Sequence, residues 1–148
     1  MKEIAVQLIA AFFGSMGFAL MFNINRKYLL TASFNGILCW SIYLIAQKVA
    51  GNLFLSSFLA ALSVSVVSEV QARITKSPST SFYVSGLIPL IPGSSLYYMI
   101  NGLALGDQSA SDFYGKNLIW TILGIAAAFA CVISTIHFVR KVKRGNRV

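Results

Sequence analysis

The sequence predicts an all-α, polytopic membrane protein of about five transmembrane helices, the fourth broken by proline and glycine. Composition is the first reason. Of 148 residues, 57% are hydrophobic and 11% charged, against about 25% charged in a soluble domain, and the mean hydropathy is +0.74. Run length is the second: the apolar stretches are about 20 residues long, which suits helices crossing a hydrocarbon core better than the alternating ten-residue strands of a barrel. The third is the position of the charges. The formal net charge of +8 sits between and after the apolar runs, so it reads as a topology signal rather than a nucleic-acid surface.

The chain is read as one transmembrane domain, residues 1–148. Lys2 and the apolar run after it resemble a signal peptide, but a small-x-small cleavage site followed by a polar chain is missing, so the first run is expected to stay. The first span, residues 4–22, carries Ala10, Gly14 and Gly17 on one small-residue face where another helix can approach. The second, residues 28–46, holds Asn35, an amide that must face protein or water rather than lipid. Tyr28 and Tyr43 suit the two interfacial belts. The third, residues 53–70, places Ser57, Ala61, Ser65 and Glu69 at successive i+4 steps. Glu69 and Arg73 are again four apart, which reads either as a local ion pair or as a gate or coupling carboxylate.

A polar connection, residues 71–81, leads to the most informative stretch, Gly86-Leu87-Ile88-Pro89-Leu90-Ile91-Pro92-Gly93-Ser94-Ser95. Pro89 and Pro92 lack N–H groups and crowd the carbonyls of Ser85 and Ile88, so one regular helix cannot run through them. Within a membrane such a break is tolerated where it is buried in protein or lines a wet cavity. It is a bare kink or a binding site, since the start of a half-helix presents N–H groups and a dipole end to an anionic group. On the site reading, Pro89, Pro92, Gly93, Ser94, Ser95, Tyr97 and Asn101, with Asn35, form the substrate path. Residues 105–117 read as a hydrophilic loop rich in Gly and Ser. The fifth span, residues 118–139, precedes a basic cytoplasmic tail, residues 140–148.

Metal and cofactor chemistry find no support. Cys39 and Cys131 lie inside apolar runs without ligand spacing and read as inert buried thiols. Ser94 or Ser95 as an enzymatic nucleophile needs a positioned base, and His137, the one histidine, is expected at the cytoplasmic edge. No catalytic residue is assigned. Counting Lys and Arg with five crossings puts nine inside and three outside, which favours N-terminus out and C-terminus in. The crossing is preferred to a re-entrant fourth segment because residues 82–104 would reach about 34 Å if helical throughout, enough to span with some tilt.

Gly17-Phe18-Ala19-Leu20-Met21-Phe22-Asn23, then Ala72-Arg73, Pro78, Phe82, the Ile88–Gly93 stretch and Tyr97 together resemble the threonine/serine exporter family, specifically the short subunit of its split, two-gene form. The resemblance covers nearly the whole chain. It implies an inner-membrane exporter of small amino acids, or of dicarboxylates such as succinate, acting in the lipid bilayer with a larger subunit of the same family and with no nucleic acid. It transfers no substrate-binding residue set. The alternative function is a structural subunit bracing a partner that contains the whole path.

Overall fold

A computed structural model describes residues 2–145, with the side chains of His137, Val139, Arg140 and residues 142–145 left out of the description. The reading of His137 therefore lies outside the described residues, as does that of the tail beyond Gly145. Six α-helices follow one another: α1 (Lys2–Met21), α2 (Leu29–Ala50), α3 (Leu53–Thr75), α4 (Ser79–Leu87), α5 (Gly93–Leu105) and α6 (Gln108–Gly145). A single 3-10 turn, Arg26–Tyr28, opens α2, and another, Ile88–Leu90, separates α4 from α5. Among the described residues, four segments are long and apolar enough to cross a membrane: Lys2–Met21, Arg26–Ala50, Leu53–Thr75 and Gln108–Ile136. The fourth expected span, residues 82–104, is divided by the turn into helices of nine and 13 residues.

The connections are shorter than composition suggested, because each is built from a capping residue. Gly51 takes a left-handed φ of 60° at the end of α2, and Asn52 then caps α3 by accepting from the Phe54 N–H at 2.9 Å. The same device joins α5 to α6. Gly106 has φ 74°, the Asp107 N–H donates to the Gly102 carbonyl at 2.8 Å, and the Asp107 carboxylate accepts from the Ala110 N–H at 3.0 Å. The hydrophilic loop expected over residues 105–117 is thus a two-residue turn, and α6 begins ten residues earlier than expected. Likewise α3 runs on to Thr75, leaving only Lys76, Ser77 and Pro78 before α4. At the end of α1, Asn23 adopts φ 53°, and the Ile24 N–H returns to the Ala19 carbonyl at 3.0 Å.

Close approach of backbones sets the packing, as expected where lipid is as apolar as the helix surfaces. The packed face of α1 is Ala11, Ser15 and Ala19, one position round from the expected Ala10, Gly14 and Gly17. Gly36 of α2 meets the Ser15 hydroxyl, and a Cβ there would lie 2.8 Å from the Ala11 carbonyl oxygen; Gly14 and Gly17 face open space. Gly86 of α4 fits between Asn35 and Val64. Gly124 of α6 lies against the backbone of Phe54 and Phe58 in α3. Along the core, Cys39, Ala60, Ala61, Val64, Leu87, Leu90 and Ala128 form one buried cluster. Cys131, expected to be buried, is exposed on the surface of α6.

These contacts fix depth. α3 and α6 run parallel, with Phe54 beside Trp120 at one end and Val70 beside Ile136 near the other. α5 runs antiparallel to the first half of α6, and α4 reaches α6 at its middle: Tyr83 stacks on Phe129, Gly93 and Leu96 lie by Ile122 and Leu118, and Gly102 abuts Ser111. Gly86 stands at Val64, the middle of α3. Gly93 sits about 12 Å above that level, at 1.5 Å per residue along α3.

Candidate functional site

Three adjoining cavities form a groove among α3, α4, α5 and α6. The lowest, of about 330 Å³, is formed by α3, α4 and their connection alone, from Glu69, Ala72, Arg73, Ser77, Pro78, Ser79 and Thr80. It continues into a narrower cleft of about 140 Å³ that shares Glu69 and adds Ser65, Ser68, Tyr83 and Phe129. Beyond the Tyr83–Phe129 stack, with ring centroids 4.9 Å apart, opens an apolar cavity of about 390 Å³ whose wall includes Ile91, Pro92, Gly93 and Leu96. Hydroxyls and a carboxylate line the lowest cavity, Val132, Ile133 and Ile136 join the serines in the cleft, and the upper cavity is aliphatic. The two rings stand where the character changes.

Glu69 lies largely within this groove, its side chain 15% exposed, while that of Arg73 is 65% exposed. The Arg73 guanidinium donates to the Glu69 carboxylate at 3.2 Å, so the i, i+4 pair read from the sequence is formed. Ser57, Ala61 and Ser65 are buried along the same stripe of α3. Tyr83, Ser68, Ser79, Thr80 and Phe129 were not singled out from the sequence. Ser68 had a signal, since it lies one residue before Glu69 and three after Ser65 on a shared helical face. The other four are placed by tertiary packing alone.

The upper end is the start of α5. The bare geometry differs from expectation in two respects. The Ile88 carbonyl accepts from the Ile91 N–H at 3.2 Å, and the Gly93 N–H donates to the Ile91 carbonyl at 2.8 Å. Neither group is available to a ligand, because the prolines fold the chain into tight turns that satisfy them locally. The first backbone bond of α5 runs from the Leu96 N–H to the Pro92 carbonyl at 3.1 Å, which leaves the N–H groups of Ser94 and Ser95 as the unbonded donors of its first turn. Ser94 is exposed and Ser95 half-buried.

The remaining sequence-predicted residues lie elsewhere. Pro89 lies in a separate groove of about 260 Å³ with Gln7, Ala10, Gly14 and Trp40. Tyr97 and Asn101 stand higher on α5, both exposed. Asn35 is 2% exposed and is held between α2, α3 and α4. Its amide nitrogen donates to Gln71 Oε1 at 2.8 Å, and Gln71 Nε2 donates back to Asn35 Oδ1 at 2.9 Å. Its nitrogen also approaches the Phe82 carbonyl at 3.4 Å. This amide faces protein, as expected, and its hydrogen-bonding capacity is taken up by α3 and α4. Among the described residues no cluster of His, Cys, Asp and Glu suited to a metal ion occurs.

Apolar helices of membrane length, packed through glycine and serine and flanked by a half-polar groove, define a polytopic helical membrane protein. The sequence narrows the class. Residues 7–136 match the family described as threonine/serine exporter, ThrE, and the chain belongs to that family, which places it among membrane exporters. No curated protein and no solved structure matches it.

Proposed function

We propose that this chain is one half of an inner-membrane secondary exporter of threonine and serine, completed by a larger membrane subunit of the same family. The carrying observation is the groove that joins Glu69 to the start of α5 along α6. It supplies two stations for a zwitterion about 20 Å apart along the helix axis. At the lower one, Glu69 and Arg73 present a carboxylate and a guanidinium together, the complement of an ammonium and a carboxylate. At the upper one, the Ser94 and Ser95 N–H groups and the dipole of α5 favour an anionic group. The Tyr83–Phe129 stack between them is the closure that alternating access requires. A dicarboxylate such as succinate would use the cationic and N–H groups and leave Glu69 unmatched.

In this reading α4, the Ile88–Leu90 turn and the first turn of α5 make a fifth crossing, since they accompany α6 from one end of the bundle to the other. The orientation is N-terminus out and C-terminus in, supported by nine Lys and Arg inside against three outside. An odd number of crossings would give a homologous partner half the opposite orientation, as in inverted-repeat transporters.

Export of threonine, serine and succinate, followed in cells making both subunits, tests this. Gly93 has no atom within 4 Å of where a Cβ would stand, so Gly93→Leu is accommodated and covers the first turn of α5. Export is expected to fall at least tenfold at unchanged protein level. Glu69→Gln is expected to reduce amino-acid export while sparing succinate. Unchanged export by both variants would overturn the site, and a selective loss of succinate export would reverse the assigned substrate.

A further inference from the structure

We infer that the crevice between α3 and α6 binds one anionic phospholipid, with an acyl chain along the two helices and the phosphate on Arg73. A cavity of about 310 Å³ lies there, walled by Leu62, Val66 and Val70 of α3 and by Cys131, Thr135 and Ile136 of α6, with Arg73 at its lower end. It stands across the α3–α6 contact from the serine-lined cleft and shares with it only Glu69, Val132 and Ile136. The inference therefore does not depend on the substrate path.

The wall suits hydrocarbon. The Thr135 hydroxyl donates to the Cys131 carbonyl at 2.8 Å, so it asks nothing of an occupant, and a thiol behaves as a small hydrophobe. Val66 and Val70 are each 51% exposed, and both helices are long and apolar enough to cross a membrane. The crevice thus opens sideways toward lipid chains rather than toward water. Its length fits one leaflet: from Leu62, near the middle of α3, to Arg73, near its end, is about 16 Å, against about 15 Å for half of a hydrocarbon core. The volume is at the small end of ligand cavities, which admits one chain rather than two.

Charge selects the headgroup. The hydrogen bonds of Arg73 run from Nε at 3.3 Å and Nη2 at 3.2 Å to one oxygen, Glu69 Oε1, which leaves the two N–H groups of Nη1 for a second acceptor. An anion arriving from lipid meets the guanidinium first, because the Arg73 side chain is 65% exposed and that of Glu69 15%. A guanidinium also matches phosphate with its planar fork and sheds water more readily than an ammonium. Other cations gather at this end. Lys76 follows α3 directly, Lys141 lies one turn beyond Ile136 on α6, and the Tyr28 hydroxyl, donating to the Thr75 carbonyl at 3.3 Å, brings Arg26 and Lys27 to the same side. Among the described residues Glu69 is the one carboxylate at this end, so the local excess is positive and favours an anionic over a zwitterionic headgroup.

The full chain in nanodiscs of equal parts phosphatidylglycerol and phosphatidylcholine, released and weighed by native mass spectrometry, tests this without any transport measurement. The chain is expected to retain a single phosphatidylglycerol, at least tenfold in preference to phosphatidylcholine. Arg73→Gln is expected to bring that ratio near one, and Arg73→Lys, which keeps the charge, to preserve part of the preference. Cys131→Phe fills the crevice from an exposed position and is expected to abolish retention of either lipid. Equal retention of the two lipids by the unaltered chain overturns the proposal, as does an undiminished preference in Arg73→Gln or undiminished retention in Cys131→Phe. Displacement of the lipid by inorganic phosphate would mean a site for a free anion, and its loss on co-purification with the larger subunit would give the crevice to that subunit; either result also overturns the assignment.

Discussion

The Asn35–Gln71 pair is where the chemistry of single residues decides most. Two amides that exchange hydrogen bonds in both directions satisfy each other, and the Ser68 hydroxyl at 3.4 Å adds a further acceptor for the Asn35 nitrogen. Gln71→Met keeps the length of the side chain and removes its polar atoms, so the cost is that of leaving a buried amide short of partners, about 1–3 kcal/mol. Measured interhelical hydrogen bonds within membranes average nearer 0.6 kcal/mol, which sets the lower end. Gln71→Met and Asn35→Leu are each expected to lower the thermal midpoint of the purified protein, and the double variant to lose less than the sum of the two. A double-mutant cycle gives the coupling; strict additivity would mean that the pair contributes nothing. That Asn35 faces protein was legible from its type and position alone. Its partner was not, because Gln71 lies where the sequence suggests an interhelical connection, and only the extension of α3 to Thr75 brings it opposite Asn35.

Helix ends show why the sequence was misread between residues 105 and 117. Gly, Ser, Asp and Asn are at once the residues of loops and the residues of caps. In Gly106-Asp107 they act as caps, ending α5 and starting α6 within two positions. The pattern is the same as Gly51-Asn52, where the apolar residues on both sides made the turn plain. Ser109, whose hydroxyl donates to the Asp107 carboxylate at 2.6 Å, and the Ala110 N–H hold that carboxyl below its ordinary value of 3.8. A folded pKa below the unfolded one means that the stabilisation is fully present above about pH 4 and is lost as pH falls through the lowered folded value. Exchange protection of the Ala110 amide is therefore expected to be level from neutral pH to about pH 4 and to decline below it. Asp107→Asn, which still caps but does not titrate, is expected to flatten that decline. A decline of equal size in Asp107→Asn would assign it to another group. The break between α4 and α5 was legible from its two prolines, whereas the loss of Ile88 O and Gly93 N–H to local turns was not, since both bonds depend on the backbone angles around Ile91.

Across the whole molecule, the proposed five crossings make a prediction sharper than charge counting gives. With the C-terminus inside, the crossing version of residues 82–104 puts nine Lys and Arg inside and three outside, and the re-entrant version seven and five, so the positive-inside rule leans toward the crossing. The chain packing discriminates more sharply. Because α4 and α5 track α6 from Tyr83 at Phe129 to Gly102 at Ser111, the α5–α6 turn lies at the same end of the bundle as the α2–α3 turn, and the Lys76–Pro78 connection lies at the other. In a Cys131→Ser background, with Cys39 left in place because it is buried, single cysteines at Asn52, Asp107 and Ser77 report the three positions. An impermeant thiol reagent applied to intact cells is expected to label Asn52→Cys and Asp107→Cys and to reach Ser77→Cys only after permeabilisation. Labelling of Asp107→Cys without Asn52→Cys would mean that α4 and α5 turn back within the membrane, and the groove along α6 would then open to one side only. Labelling of Ser77→Cys alone in intact cells would keep the crossing and invert the whole chain. The depth of the hairpin adds a graded readout. Residues near the tip of α5, such as Leu105, are expected to react at rates typical of free solution, whereas Ile122, inside the bilayer on the same end of α6, is expected to react at least a hundredfold more slowly, because thiolate formation is suppressed in hydrocarbon. Equal rates at the two positions would place the hairpin in lipid.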